Sequence, residues 1–208
     1  MRRLAPVSRA LIVANVVVHL LQGATGDDLL RLFALWPPGA EAAGFPGFAI
    51  WQIVTYAFLH GNGGHLFVNM LALYMFGSDI ERLLGPRRYV LYYFACVVGA
   101  AVAQLAVVTF IAPSPFPTVG ASGAIFGLLL AFGMAYPKRM VLLIFPPIPM
   151  PAWLFVTLYG TLELVLGVTR TQQGVAHFAH LGGMAAGWML IRHWRPRKRA
   201  VQMPTLPW

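Results

Sequence analysis

Long apolar blocks alternate with short polar and basic clusters along the 208 residues of this chain. A helix that crosses a bilayer needs ~20 apolar residues, with about 17 to 25 tolerated. Six blocks meet that length, at about 9–24, 63–84, 89–112, 120–136, 152–168 and 175–193. They predict an all-α polytopic membrane protein, a six-transmembrane-helix bundle that forms one domain over residues 1–208. The first block follows Met1-Arg2-Arg3 and has small residues near Gly23-Ala24, which are also marks of a signal peptide; the six-helix reading takes it as a span.

Two connections are longer than turns. The outer one runs from Thr25 to about Asn62 and contains the uncharged aromatic stretch "FAIWQIVTYAF", residues 48–58. It is expected to lie in the interface, with Trp51 and Tyr56 at headgroup level. The inner one, "MVLLIFPPIPMP" at 140–151, is too broken by proline to span and is expected at the cytoplasmic face.

Composition agrees with this organisation: 59% of residues are apolar and 10% charged, far below the usual quarter of a soluble domain. A net charge of +9 raises nucleic acid as a partner, but such a site gathers its basic residues on one water-facing surface. Here they sit between apolar blocks, where they set orientation. With the N-terminus inside, Arg2, Arg3, Arg9, Arg82, Arg87, Arg88, Lys138, Arg139, Arg192, Arg195, Arg197, Lys198 and Arg199 are cytoplasmic. Of the 15 basic residues only Arg31 and Arg170 are then outside. An odd number of spans would put one basic end on the wrong side, so both termini are expected to be cytoplasmic. Cys96 is the single cysteine and lies in an apolar block, which excludes a disulfide framework and a thiolate metal site.

Topology then gives each intramembrane polar residue a depth. His65 and Asn69 on span two, Ser122 on span four, and His177 and His180 on span six all fall at outer ends. Ionisable groups within a span are costly and mark a site by default, so three helices converging on one leaflet point to chemistry. Taken alone, Ser122 is a small residue that lets helices approach. Its setting changes that reading, because Gly123 and Gly127 form one GxxxG strip and Gly183 and Gly187 another, with His180 on the second strip. Close packing of the two strips brings the Ser122 hydroxyl toward the His180 imidazole, the nucleophile and base pairing of acyl transfer. Ser122 begins its helix, so its backbone N–H is open to an oxyanion. His65 and Asn69, spaced i, i+4, share a face and offer further donors.

No carboxylate completes a triad in this reading. Asp79 and Glu81 lie at the inner end of span two, ~15 Å from Asn69 along the helix. Glu163, nearer the outer half of span five, has three readings: it orients a histidine, it serves span five in some other way, or, the reading preferred, it is a protonated acid paired with a neighbour. His19 is expected to be packed or interfacial, and His193 on the surface. Replacing Gly183 with Leu is expected to part the two helices, and Ala to do so much less.

The stretches "HLFVN" at His65 to Asn69, "GASGAIFG" around Ser122 and "AHLGGMAAG" from Ala179 to Gly187 together resemble the rhomboid family of intramembrane serine proteases, in its short six-span bacterial form. The likeness covers nearly the whole chain, with three motifs on three helices in order. It implies a Ser122–His180 dyad, oxyanion-hole residues at His65, Asn69 and Ala121, and a supporting role for His60. Gly120 joins the glycines that pack around the site. It implies no metal and no cofactor, and single-span membrane protein substrates cut within or near their membrane segment. The location it implies is a bacterial inner membrane, multi-pass, with the site open to the outer side. Two departures stand out. Gln52 follows Trp51 where the family often has Arg, and Phe126 stands where it often has Tyr; Phe126 still packs on an imidazole. His177 is the rival base, but the spacing H-x-x-G-x-x-x-G starts at His180. Two other functions compete, an inactive rhomboid-like binding module and a metal-dependent membrane enzyme using His60, His65, His177 and His180. The first generally lacks the serine or the histidine, and the second lacks an obvious carboxylate base.

Overall fold

The computed structural model describes residues 4–142, 147–169 and 175–194. Arg2, Arg3, Arg170, Arg195, Arg197, Lys198 and Arg199, part of the charge count above, lie outside the described residues. The main helices are α1 (Pro6–Thr25), the short α2 (Asp28–Phe33) and α3 (Gln52–Thr55), α4 (Gly63–Ala72), α5 (Ser78–Leu84), α6 (Pro86–Phe110), α7 (Ser122–Ala135), α8 (Ala152–Thr169) and α9 (His177–Trp194). Helices α1, α6 and α8 are long and apolar enough to cross a membrane. The block at 63–84 is one helix in three parts, because a π-helical segment, Leu73–Gly77, joins α4 to α5.

Helix α7 has 14 residues, shorter than the apolar block that contains it. At ~1.5 Å per residue it is about 21 Å long, less than the ~30 Å hydrocarbon layer of a bilayer. Most of its circumference is buried, from Gly123, Ala124 and Ile125 through Ala131, Phe132 and Gly133, with only the stripe Ser122, Phe126, Leu130 and Met134 half-buried, so it is the central helix of the bundle. A helix sheathed by its neighbours must be apolar all round, which is the pattern read here.

The outer connection is folded rather than extended. Gln52 is buried at its centre, its Oε1 accepting from the backbone N–H groups of Trp36 and Ala49 at 3.2 Å and its Nε2 donating to the Gly47 carbonyl at 3.3 Å. An arginine offers donors only, so the amide's mixed character suits this position. Trp51 is exposed, as an interfacial residue should be. Tyr56 is turned into the bundle: it is 1% exposed, and its hydroxyl donates to the Val97 carbonyl of α6 at 2.9 Å. A buried tyrosine needs such a partner, and the α6 backbone supplies one that hydropathy does not reveal. The proline-rich inner connection holds a two-stranded antiparallel ribbon, β1 (Met140–Leu142) with β2 (Pro149–Pro151). Val141 pairs with Met150 across it, and both are buried.

Helix α1 starts with Pro6 at its first position and has no side-chain cap of its own. Glu81 of α5 does that work. Its Oε1 accepts from the Val7 N–H at 2.9 Å, and its Oε2 from the Ser8 N–H at 2.7 Å and the Ser8 hydroxyl at 2.8 Å. A buried carboxylate at a helix N-terminus satisfies orphan donors and complements the helix dipole. Hydrogen bonds to a charged group contribute ~1.5–3 kcal/mol each, so Glu81→Ala is expected to lower stability by about 3 kcal/mol or more. A fall in the thermal unfolding midpoint in detergent checks this. Asp79 is held by Arg139 at 2.6 Å, which ties α5 to the start of the ribbon.

Candidate active site

The turn before Ser122 is pinned from both sides. Thr118 and Leu35 exchange backbone hydrogen bonds of 2.9 and 3.0 Å, and the Gly120 N–H donates to the Tyr56 carbonyl at 3.0 Å. Gly120 has φ +122°, and a Cβ there would lie within 2.7 Å of the His65 ring. Only glycine allows both the backbone angle and the closeness of the imidazole. The helix then starts at Ser122 itself, with Ala121 at its N-cap.

Ser122 Oγ lies 2.7 Å from His180 Nε2. The Phe126 ring stacks on His180, with centroids 4.3 Å apart and planes 8° from parallel, which limits how the imidazole can turn. The closeness of α7 and α9 comes from glycine: a Cβ on Gly183 would run into the Gly123 carbonyl oxygen and reach within 2.7 Å of its carbon. The same carbon at Gly127 would lie 3.1 Å from the Gly183 carbonyl oxygen. Gly187 faces elsewhere, toward Tyr92 and Cys96 of α6, and so does not extend the strip against α7. A Cβ on Gly182 would come within 2.7 Å of the Gly99 carbonyl oxygen of α6, a second small-residue approach that holds α9 and that the GxxxG pattern misses.

Among the described residues the Ser122 N–H has no backbone acceptor, since the first bond into α7 is made by Ile125 to Ala121. The Asn62 side chain caps α4 by accepting from the His65 N–H at 2.8 Å. Asn69 is buried beside the cleft and spends one Nδ2 hydrogen on the His65 carbonyl at 3.0 Å, one turn back along α4. Its other hydrogen remains for the cleft. His60 stands behind His65, rings edge to face with centroids 5.0 Å apart, and His19 stands behind His60 at 6.4 Å. Burial first, and the His65 ring second, lower His60 to about 4, so it is neutral at physiological pH. His193 is exposed near the end of α9.

The absence of a carboxylate from the site, expected from the sequence, is wrong. Glu163 of α8 is 9% exposed, and its Oε2 lies 2.6 Å from His177 Nδ1 and 2.8 Å from His180 Nδ1. His177 is therefore the partner of Glu163, while Ser122 meets His180. Depth along the α8–α9 hairpin carries the missed signal. Glu163 is six residues before the end of α8 and His180 three after the start of α9, so the two differ by only ~5 Å in height. All these groups border a cleft of about 1730 Å³ between α4, α7, α8 and α9, with the apolar Phe67 and Val68 on its α4 side.

A half-buried serine in contact with a buried histidine, glycine-set helix spacing and donors from a second helix are matched by comparison with known proteins. The Rhomboid domain family model matches residues 47–196. The chain belongs to the rhomboid family. It is 33% identical over 162 residues to RHOMBOID-like protein 12, mitochondrial, of Arabidopsis thaliana, covering 70% of this chain and 47% of that protein. It is 31% identical over 143 residues to Rhomboid protease GluP of Bacillus subtilis, covering 66% of this chain and 24% of that one. With Rhomboid protease GlpG of Serratia proteamaculans it shares 26% identity over 196 residues, 94% of this rhomboid chain and 64% of the relative. This rhomboid chain thus spans less than half the length of the first curated relatives it matches. Family and apolar helices together make it an integral multi-pass membrane protein.

Proposed function

We propose that this rhomboid is an intramembrane serine endopeptidase that cuts single-span membrane proteins within or near their membrane segment. The observation that carries the reading is the 2.7 Å contact between Ser122 Oγ and His180 Nε2 at the mouth of a cleft with apolar walls. In the reaction His180 Nε2 takes the Ser122 hydroxyl proton as Oγ bonds to the substrate carbonyl carbon. The carbonyl π electrons move to oxygen. The oxyanion is met by the Ser122 N–H, with His65 and Asn69 as side-chain donors, and His60 supports His65 from behind. Collapse breaks the C–N bond, and the Nε2 proton goes to the leaving amine. Water then repeats the sequence on the acyl-enzyme.

The chain is one domain with six spans and both termini in the cytoplasm of a bacterium, and the site faces the outer leaflet of the inner membrane. Because α7 is shorter than the hydrocarbon layer, Ser122 lies below the surface, and the cleft brings water to it. Fluorophosphonate labelling of purified protein, lost on Ser122→Ala, tests the nucleophile.

A specific observation favours a second reading: Glu163, His177 and His180 each present a ligand atom, all within 4.8 Å of one another, a spacing that suits a zinc ion. A protease whose nucleophile and base are already present needs no metal. EDTA or phenanthroline is therefore expected to leave cleavage unchanged. Loss of cleavage that added zinc restores would support the metal reading instead.

A further inference from the structure

We propose that Glu163 is the positioning residue for His180, making the Ser122–His180 pair the reactive part of a three-residue chain. The proposal rests on the protease reading above.

To accept the Ser122 proton, His180 Nε2 must be bare, so the neutral ring must carry its one proton on Nδ1. That nitrogen is buried, and apart from Glu163 it has no polar partner among the described residues. A buried N–H without an acceptor is unfavourable, so the tautomer that catalysis needs would be the disfavoured one if α8 carried an apolar residue here. Glu163 Oε2, 2.8 Å away, reverses that preference. When Nε2 takes the second proton, the same carboxylate becomes the counter-ion of the imidazolium. The proton stays on His180; nothing in the cycle requires its transfer to Glu163.

Two details show how the carboxylate is held. The contact with His177 Nδ1 is an aligned hydrogen bond of 2.6 Å, whereas the contact with His180 has the distance but not the alignment. His177 thus anchors Glu163 from one side and leaves its oxygen facing His180. Hydrogen bonds of this kind commonly straighten only when substrate or transition state is bound. Phe126, flat against His180, confines the ring to the plane in which both nitrogens keep their partners. A carboxylate between two imidazoles in an apolar helix is a poor way to hold α8 to α9, since a hydrophobic contact does so without desolvating charge.

The test uses purified full-length protein with a single-span substrate. Glu163→Gln preserves shape but removes the charge, and its amide can donate to Nδ1 and fix the wrong tautomer. It is expected to lower kcat by about 100-fold or more with KM within about threefold, and to slow fluorophosphonate labelling in parallel. Glu163→Asp is expected to recover part of kcat, which a purely space-filling role would not give. Nitrogen-15 NMR of wild-type His180 at neutral pH is expected to show the Nδ1-protonated tautomer. Wild-type kcat in the Gln variant, or a resting Nε2-protonated ring in the wild type, overturns the proposal, and the second holds even if the variants misfold. Stoichiometric zinc released by chelation together with activity also overturns it, by making the cluster a metal centre. A wild-type protein that neither cleaves nor labels removes the protease reading itself, a result distinct from active protein indifferent to Glu163.

Discussion

Ser122→Ala is expected to reduce cleavage of a single-span substrate by on the order of 10⁴-fold or more, to the level of uncatalysed background in most assays. The contact with His180 Nε2 at 2.7 Å has no substitute in the cleft. Cys96 is buried against Gly127 and Gly187 and cannot reach the reacting carbon. His180→Ala should fall to a similar rate, and the double variant no further, because a nucleophile and its base act as one unit. The Ser122→Ala protein should fold as the wild type does, since Ser122 is only partly buried and the loss of its hydroxyl opens little space. Residual turnover in Ser122→Ala above a tenth of wild type would show that the hydroxyl is a packing group and the bond is broken elsewhere.

Gly183 is expected to be almost as sensitive, although it has no chemistry of its own. Leu and Ala are expected to behave alike here, against the sequence-based expectation that Ala is mild. The first carbon of any side chain at Gly183 meets the carbonyl group of Gly123, which is backbone and cannot turn aside. The helices must then separate, and ~1 Å of displacement between reacting groups can lower the rate about 100-fold. Both variants are expected to insert normally, since apolar residues are welcome in a bilayer, yet to lose about 100-fold or more in cleavage and labelling. Near wild-type turnover in Gly183→Ala would mean that α9 can slide on α7 without disturbing the Ser122–His180 contact. Gly187→Ala serves as a contrast, because its neighbours are the Tyr92 ring and the Cys96 side chain rather than backbone.

The helices were legible because membrane spans are written in uninterrupted apolar length, which survives any rotation of a helix about its axis. The meeting of Ser122 with His180 was legible because depth and a glycine strip together fix both height and facing. Glu163 had the height and a facing signal as well: Gly160 and Gly167, three residues before it and four after, share its face of α8 and turn to α9, but their seven-residue spacing lies outside the GxxxG pattern, so its partner went unnamed. The inward turn of Tyr56 and the facing of Gly187 were missed for another reason. Their neighbour is α6, a helix with apolar and small residues all round and hence no readable face. The ribbon at 140–151 escaped notice because proline argues against strands except at edges, and a two-stranded ribbon consists only of edges.

The π-helical segment at Leu73–Gly77 has a consequence for how this chain can change in length. One additional residue in a turn advances everything after it by about 100°. The two ends of this helix are therefore out of phase: the α4 half aims His65 and Asn69 at the cleft, while the α5 half aims Glu81 at the first turn of α1. A single-residue deletion at the segment would restore regular winding and lose one of these alignments, whichever half the bundle held fixed. In this helix each insertion or deletion sets the alignment of His65 and Asn69 on the cleft against the anchor of α1.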